Sequence, residues 1–242
     1  MLDIASRQAW IEKRREEVIA EYPRRWSHII EKWKERGGRD RVYLTYAANY
    51  LFCTNGTRWA IDPLTLKRRL ATAQSVEVVE SLSSLEFVIL THEHNDHFDN
   101  ALIYALKDAP IRWVIPRAML SLVTRATGLS EKKIIVPENL KPISLGNIQV
   151  IPFEGLHWED IIKDGVAGLK GLPATSYMAE IKGKRMLFPG DVRTYDIDAM
   201  PGFGHIDGVF AHLWLGRKCA LVDPPPLLNV FCNFYTFLKP KL

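Results

Sequence analysis

One short segment of the chain carries three histidines and an aspartate, residue types that bind divalent metal ions. The segment THEHNDH, residues 91–97, contains His92, His94, Asp96 and His97. Imidazole nitrogens and carboxylate oxygens are the ligands that zinc and similar ions take. In an extended loop, alternation points His92 and His94 to one side, while Asp96 and His97 can address a second point nearby. Two adjacent metal ions are the natural consequence.

A competing zinc motif starts in the same way but does not fit. His92-Glu93 begins like HExxH, which requires a second histidine at position 96, where Asp96 stands. That motif also needs a helix, whereas the apolar run at residues 87–90 predicts a buried strand. The segment is therefore expected at the C-terminal end of a strand, where α/β proteins place their chemistry.

The elements around this segment predict an α/β fold. Asn55-Gly56 and Lys182-Gly183-Lys184 supply two hairpin turns between apolar runs. Helices are predicted at residues 71–82, 98–107, 117–127 and 227–238. Strands are predicted at residues 42–46, 50–54, 57–61, 87–90, 111–115, 148–153, 176–181, 185–188 and 208–213.

The N-terminal residues 4–36 have helical periodicity with a single apolar face. Pro23 is expected to divide this stretch into two helices, and Gly37-Gly38 to end the second. The apolar face is expected to pack on the body of the protein. Docking on a partner or a membrane surface is the alternative, because tryptophan and basic residues also occur at such surfaces.

Composition indicates a protein of ordinary globular type. The 242 residues are 47% hydrophobic and 25% charged, and the net charge of +4 is spread along the chain. This charge weakly favours a small anionic substrate and does not argue for nucleic acid. Three widely spaced cysteines without a CxxC pair suggest reduced thiols and a cytoplasmic location. No secretory signal is visible and no apolar stretch reaches the roughly 18 residues of a membrane span, so a soluble protein is expected.

The order HxHxDH resembles the signature of the metallo-β-lactamase superfamily, in a pattern nearest its lactonase-like branch. His157, in GLHW, resembles the third histidine of the first metal, and Asp191, in LFPGD, resembles the bridging aspartate. Asp62, in IDP, resembles the strand-end aspartate near the site, which is usually structural. The resemblance implies an αββα four-layer sandwich over residues 39–242, with residues 1–38 as an N-terminal helical extension.

The resemblance also implies one more ligand near the C-terminus. The family's second metal is held by Asp96, His97, Asp191 and a histidine on a strand after the last helix. Residues 213–216 resemble the loop before that helix, 227–238 the helix, and 239–242 the start of the strand. We therefore expect the domain to be truncated just before that histidine. His212 is the downstream candidate, either as a metal ligand or as a residue that supports the ligands.

These observations predict a metal-dependent hydrolase with one or two divalent ions, Zn²⁺ first and Mn²⁺ or Fe as alternatives. A metal-bound hydroxide would attack a small ester, lactone or phosphodiester, with Asp96 orienting the water and accepting its proton. Trp158, Arg193 and Arg217 lie in loops that could meet an anionic substrate. A nuclease like the tRNA 3′-processing branch is an alternative, although no basic arm is evident. The second alternative is a non-catalytic protein whose incomplete site binds a metal ion or a partner without turnover.

Overall fold

Two β-sheets packed face to face form the centre of the molecule, and helices lie on their outer faces. The computed structural model describes residues 3–35, 37, 39–65, 76–163 and 166–241. Within these residues no helix combines the length and the hydropathy that crossing a lipid bilayer requires.

The first sheet has six strands in the order β1 to β6. The first three form antiparallel pairs, and β3 to β6 run parallel to one another. Asn55 and Gly56 join β2 to β3 and both have positive φ, 51° and 78°, as the tightest hairpin turn requires. The strands are β1 (Arg41–Leu44), β2 (Tyr50–Thr54), β3 (Thr57–Ile61), β4 (Phe87–Ile89), β5 (Arg112–Val114) and β6 (Ile134–Ile135).

The second sheet has five strands in the order β13-β12-β11-β8-β7. Because β8 and β12 both pair antiparallel with β11, and β13 pairs parallel with β12, the C-terminal ends of β8, β12 and β13 share one edge. A separate hairpin, β9 with β10, lies between β8 and β11 in the chain. The strands are β7 (Ile143–Leu145), β8 (Ile148–Glu154), β9 (Glu159–Lys163), β10 (Val166–Lys170), β11 (Thr175–Ile181), β12 (Lys184–Phe188) and β13 (Gly208–Val209).

Alternating side chains of both sheets fill the space between them. Phe52 stacks on Trp59 with ring centroids 3.9 Å apart, and Phe188 of the other sheet meets Phe52 edge-on at 5.5 Å. Each fully buried side chain of this size contributes roughly 1.5–3 kcal/mol to folding. This core therefore fixes the position of the two sheets relative to one another, and with it the position of the loops at their strand ends.

Among the described residues, four helices cover the outer face of the first sheet, and the C-terminal helix lies on the side of the second. This is the four-layer αββα arrangement that the sequence predicted. The helices are α1 (Ile4–Lys34), α2 (Val78–Leu82), α3 (Asn100–Leu106), α4 (Arg117–Thr127) and α5 (Leu228–Phe237).

The N-terminal prediction was partly wrong, because α1 runs unbroken through Pro23. An interior proline costs about 3 kcal/mol or more. Buried packing on the first sheet offsets it: Trp33 is fully buried and donates to the Phe52 carbonyl oxygen at 2.8 Å, and Trp26 donates to Ser81 Oγ at 3.1 Å. Only the second half of the helix packs in this way, since Trp10 is 59% exposed.

Other differences lie at element ends. β13 stops at Val209 instead of residue 213, because after Phe210 donates to the Leu187 carbonyl oxygen the chain leaves the sheet toward Asp191. The predicted strand start at residues 239–242 is not a strand over 239–241, where Lys241 N donates to the Ile206 carbonyl oxygen. Residues 71–75 of one predicted helix, together with Gly38 and Leu242, lie outside the described residues.

Candidate metal centre

The predicted site residues follow strands whose C-terminal ends meet where the two sheets join. Parallel pairing brings the ends of β3 and β4 together, and the ends of β8, β12 and β13 face them. Two hydrogen bonds tie the sheets at this point: Tyr177 Oη donates to the Leu90 carbonyl oxygen at 2.8 Å, and Thr175 N donates to the Thr91 carbonyl oxygen at 3.0 Å. The residues brought here are Asp62, His92, His94, His97, His157, Asp191 and His212.

Four of these residues form what we call the first subsite: His92, His94, His157 and Asp191. Each offers one ligand atom, and these atoms all lie within 4.8 Å of one another. His92 Nε2 is 3.1 Å from His94 Nδ1, and His157 Nε2 is 3.3 Å from Asp191 Oδ2. His92 and His157 are fully buried. Three imidazoles and a carboxylate at this spacing suit a zinc-type ion.

The second subsite consists of His97, Asp191 and His212, again with one ligand atom each within 4.8 Å. His212 Nδ1 lies 2.5 Å from Asp191 Oδ1, the oxygen that does not face His157. The Asp191 carboxylate therefore has one oxygen toward each subsite. This is the placement expected of a bridging ligand.

Four buried polar atoms of the two subsites lack an aligned hydrogen-bond partner within the described residues: His97 Nε2, His157 Nε2, Asp191 Oδ1 and His212 Nδ1. Burying such atoms without partners costs about 1–3 kcal/mol each. They are also atoms that converge in the two subsites, close together but not oriented to bond one another. Divalent ions would satisfy them, so the residues present fit the metals that the sequence predicted.

Asp62 supports the second subsite from behind. It is fully buried and accepts three hydrogen bonds, from Thr91 N at 2.8 Å, Thr91 Oγ1 at 2.5 Å and His97 Nδ1 at 2.8 Å. A carboxylate on Nδ1 leaves Nε2 of the same ring available as a ligand and sets the direction in which it points. The structural role expected of Asp62 thus corresponds to its hydrogen bond with His97.

His157 is held by a contact that the sequence did not predict. The Leu172 N–H donates to His157 Nδ1 at 3.0 Å, and a Cβ on Gly171 would meet the His157 carbonyl oxygen at 2.0 Å. This contact fixes the ring with Nε2 facing Asp191 Oδ2, at 3.3 Å. The signal that could have revealed this contact is Gly171, whose φ of 131° favours glycine.

Burial sets the protonation of the first-subsite histidines. It lowers the pKa of His92, and the nearby His97 and His157 lower it further. Burial, with His157 and Arg193 next, also lowers the pKa of His94. Both rings are therefore neutral at neutral pH, which is the state in which imidazole binds metal.

The contacts between carboxylates and histidines shift the pKa of Asp191 and that of His97 toward the charged form of each group. Burial acts to raise the pKa of Asp191, but its contacts with His157 and His212 outweigh burial and hold the pKa well below its usual range. For His97, burial acts to lower the pKa, yet the hydrogen bond and the charge of Asp62 prevail and raise it. Asp191 is consequently anionic and ready to ligate a cation.

The family model of the beta-lactamase superfamily domain matches residues 57–218, more than half of the chain and all of the residues of both subsites. The chain belongs to the beta-lactamase superfamily. No curated protein sequence matches the chain.

Solved structures share the superfamily fold at low identity. CmlA, a diiron beta-hydroxylase from Streptomyces venezuelae, is 16% identical over 73% of this chain, with a TM-score of 0.52. A mutant of CmlA gives 15% identity over 85% and a TM-score of 0.58. The metallo-beta-lactamase fold protein YhfI from Bacillus subtilis is 14% identical over 71% of this chain and 66% of its own, with a TM-score of 0.49. The matches span 35% and 45% of the two CmlA chains, so the likeness concerns the fold alone.

The remaining predicted site residues differ in how near they lie to the two subsites. Asp96 is half-buried in the same loop as His97, but among the described residues its carboxylate belongs to neither subsite. Arg193 Nη2 is 3.7 Å from Asp191 Oδ2. Trp158 is half-buried beside His157, and Arg217 is exposed in the turn after Gly216. Their functional roles stay predictions.

Proposed function

We propose that this protein is a metal-dependent hydrolase that holds one or two divalent ions, Zn²⁺ first and Mn²⁺ or Fe²⁺ as alternatives. The observation that carries the proposal is the Asp191 carboxylate, whose two oxygens face separate groups of buried and half-buried histidines. The substrates proposed are small esters, lactones or phosphodiesters. When bound, such ions acidify water near neutral pH and stabilise negative charge on a substrate oxygen.

Asp96 is proposed as the proton acceptor. The residue is half-buried, and its backbone carbonyl oxygen is held by Asn49 Nδ2 at 2.8 Å. A general base must lie near the attacking water, and Asp96 directly precedes His97 of the second subsite in a loop whose backbone is held by Asn49.

Arg193 supports the proposal of an anionic substrate. Its side chain is only 13% exposed, and its guanidinium lies 5.4 Å from the Trp214 ring, beside Asp191. A guanidinium is always charged, and stacking on an aromatic ring restricts its orientation. With divalent ions in the two subsites, the local charge facing a substrate would be strongly positive. Trp158 and Arg217 are proposed as further substrate contacts.

The proposal is tested by counting metal ions per chain with emission spectroscopy and by assaying hydrolysis of bis(4-nitrophenyl) phosphate and a neutral lactone. We expect one or two ions and turnover of at least one substrate. His157→Ala should lower both, whereas His28→Ala, an exposed histidine on α1, should change neither. Metal without turnover would support a non-catalytic binding protein, and absence of both would overturn the proposal.

Two variants test the finer roles. Arg193→Ala should raise KM for the phosphodiester by about 10- to 100-fold, the equivalent of one charged hydrogen bond, and leave KM for the lactone unchanged. Asp96→Ala should lower kcat on both, and full activity of this variant would contradict the proton-acceptor role. Cleavage of structured RNA far above that of the small phosphodiester would favour the nuclease alternative.

A further inference from the structure

Asn49 is a fully buried polar residue immediately before β2, and both polar atoms of its side chain make hydrogen bonds. Nδ2 donates to two backbone carbonyl oxygens, that of Asp62 at 2.7 Å and that of Asp96 at 2.8 Å. Oδ1 accepts from Ala47 N at 3.1 Å, and the Asn49 carbonyl oxygen accepts from Thr45 N at 2.8 Å. The residue is therefore fixed at its backbone and at its amide.

The two carbonyls belong to loops that the sheet does not join. β3 and β4 pair only as far as Ile61 and Ile89, after which Asp62 N donates to the Ile89 carbonyl oxygen at 2.9 Å. Beyond that point the chain after β3 turns away at Asp62, whose φ is 45°. The Asn49 amide thus links these loops where the strand ladder has ended.

The linked loops carry the two partners of one hydrogen bond. Asp62 accepts from His97 Nδ1 at 2.8 Å, and His97 directly follows Asp96. We infer that Asn49 is a positioning residue that holds both backbones of the Asp62–His97 pair and so directs His97 Nε2 into the second subsite. It acts through these residues and is not itself a ligand. As far as it concerns metal, this inference rests on the proposed function.

The chemistry of the position calls for asparagine. Both carbonyl oxygens need a donor, and Ala47 N needs an acceptor, so the side chain must supply two N–H groups and one oxygen at a single point. Aspartate has the same shape but would set oxygen against two carbonyl oxygens. Alanine would leave both carbonyl oxygens without this donor, and that of Asp62 is buried.

The first test compares Asn49→Ala with Thr127→Ala in Zn²⁺ titrations of metal-free protein. Thr127 is a matched control, since it is 2% exposed and its hydroxyl also makes two hydrogen bonds, to the Val123 carbonyl oxygen and from Leu129 N, in the outer helical layer. Asn49→Ala should weaken the second Zn²⁺ by about 10- to 100-fold and leave the first unchanged, as is usual when a supporting contact of a ligand is lost. Thr127→Ala should change neither. Wild-type affinity for both ions in Asn49→Ala, or equal losses in the control, would overturn the inference.

The second test needs no metal. In metal-free protein the His97 Nδ1 proton, shared with buried Asp62, should give a downfield proton resonance coupled to ring nitrogen. Asn49→Ala should shift or remove this resonance, and Thr127→Ala should keep it. Asn49→Ser, which keeps one donor, replaces Asn49→Ala where that variant does not fold, with the same expectation. If wild-type protein binds no Zn²⁺ the proposed function fails, whereas an unchanged resonance in the variants refutes the role of Asn49.

Discussion

Removing the Asp62 carboxylate should be among the most damaging single changes to this protein. Asp62 is fully buried and accepts from Thr91 N, Thr91 Oγ1 and His97 Nδ1 at 2.5–2.8 Å. Asp62→Ala leaves all three donors without this acceptor. Each stranded donor costs about 1–3 kcal/mol, while the variant no longer buries a carboxylate. The net loss should be about 3–5 kcal/mol, the range observed when one partner of a buried ion pair is removed.

The assay is urea unfolding of metal-free protein, together with a Zn²⁺ count on the loaded protein. Asp40→Ala is the control, since Asp40 also accepts a backbone N–H, from Asn55 at 2.8 Å, and pairs with Lys182 at 3.0 Å, but its side chain is 40% exposed. Exposure should limit the loss in this variant to about 1 kcal/mol. The reasoning is refuted if Asp62→Ala unfolds within about 1 kcal/mol of wild type, or if Asp40→Ala loses as much.

Trp33→Ala should lower the free energy of unfolding by about 3–5 kcal/mol because it empties a fully buried site, whereas Trp10→Ala, at 59% exposure, should change it by less than about 0.5 kcal/mol. Equal urea midpoints of the two variants would contradict the packing of α1. Metal-free protein should also lose stability as pH falls below about 6.5, because burial lowers the pKa of His92 and His94 and only the unfolded chain takes up their protons. The raised pKa of His97 acts in the opposite direction only above pH 6.5, because below that pH both the folded and the unfolded chain hold its proton, so the slope below pH 6.5 comes from His92 and His94 and reaches at most about 2.7 kcal/mol per pH unit. A higher urea midpoint at pH 5.5 than at pH 7.5, in a chelator, would contradict this balance.

Local chemistry made several elements predictable. Asn55 and Gly56 form the turn between β2 and β3 as expected, and both strands have the predicted bounds, because positive φ at two successive residues favours such pairs. α4 also ends where predicted, at Thr127, followed by Gly128 with φ of 67°. Each of these features depends on neighbours in sequence.

The errors have a common cause in tertiary contacts. Pro23 is a strong local signal for a helix break, but the burial of Trp26 and Trp33 on the first sheet prevailed. Likewise the run at residues 208–213 is apolar enough for a strand, and only the route of the chain to Asp191 shows that it stops at Val209. Local preference is small beside the free energy of packing.

The sequence by itself determined the donor types and their order, because a metal's preference for imidazole and carboxylate is a property of the atoms and not of the fold. Only the tertiary structure decided which donors meet. His157, Asp191 and His212 follow three different strands, and their convergence depends on the direction of those strands and on the packing of two sheets. Asn49 shows the same limit, since nothing near it in sequence indicates that its amide joins Asp62 to Asp96. Long-range contacts of this kind are set by the whole core, so residue spacing alone does not reveal them.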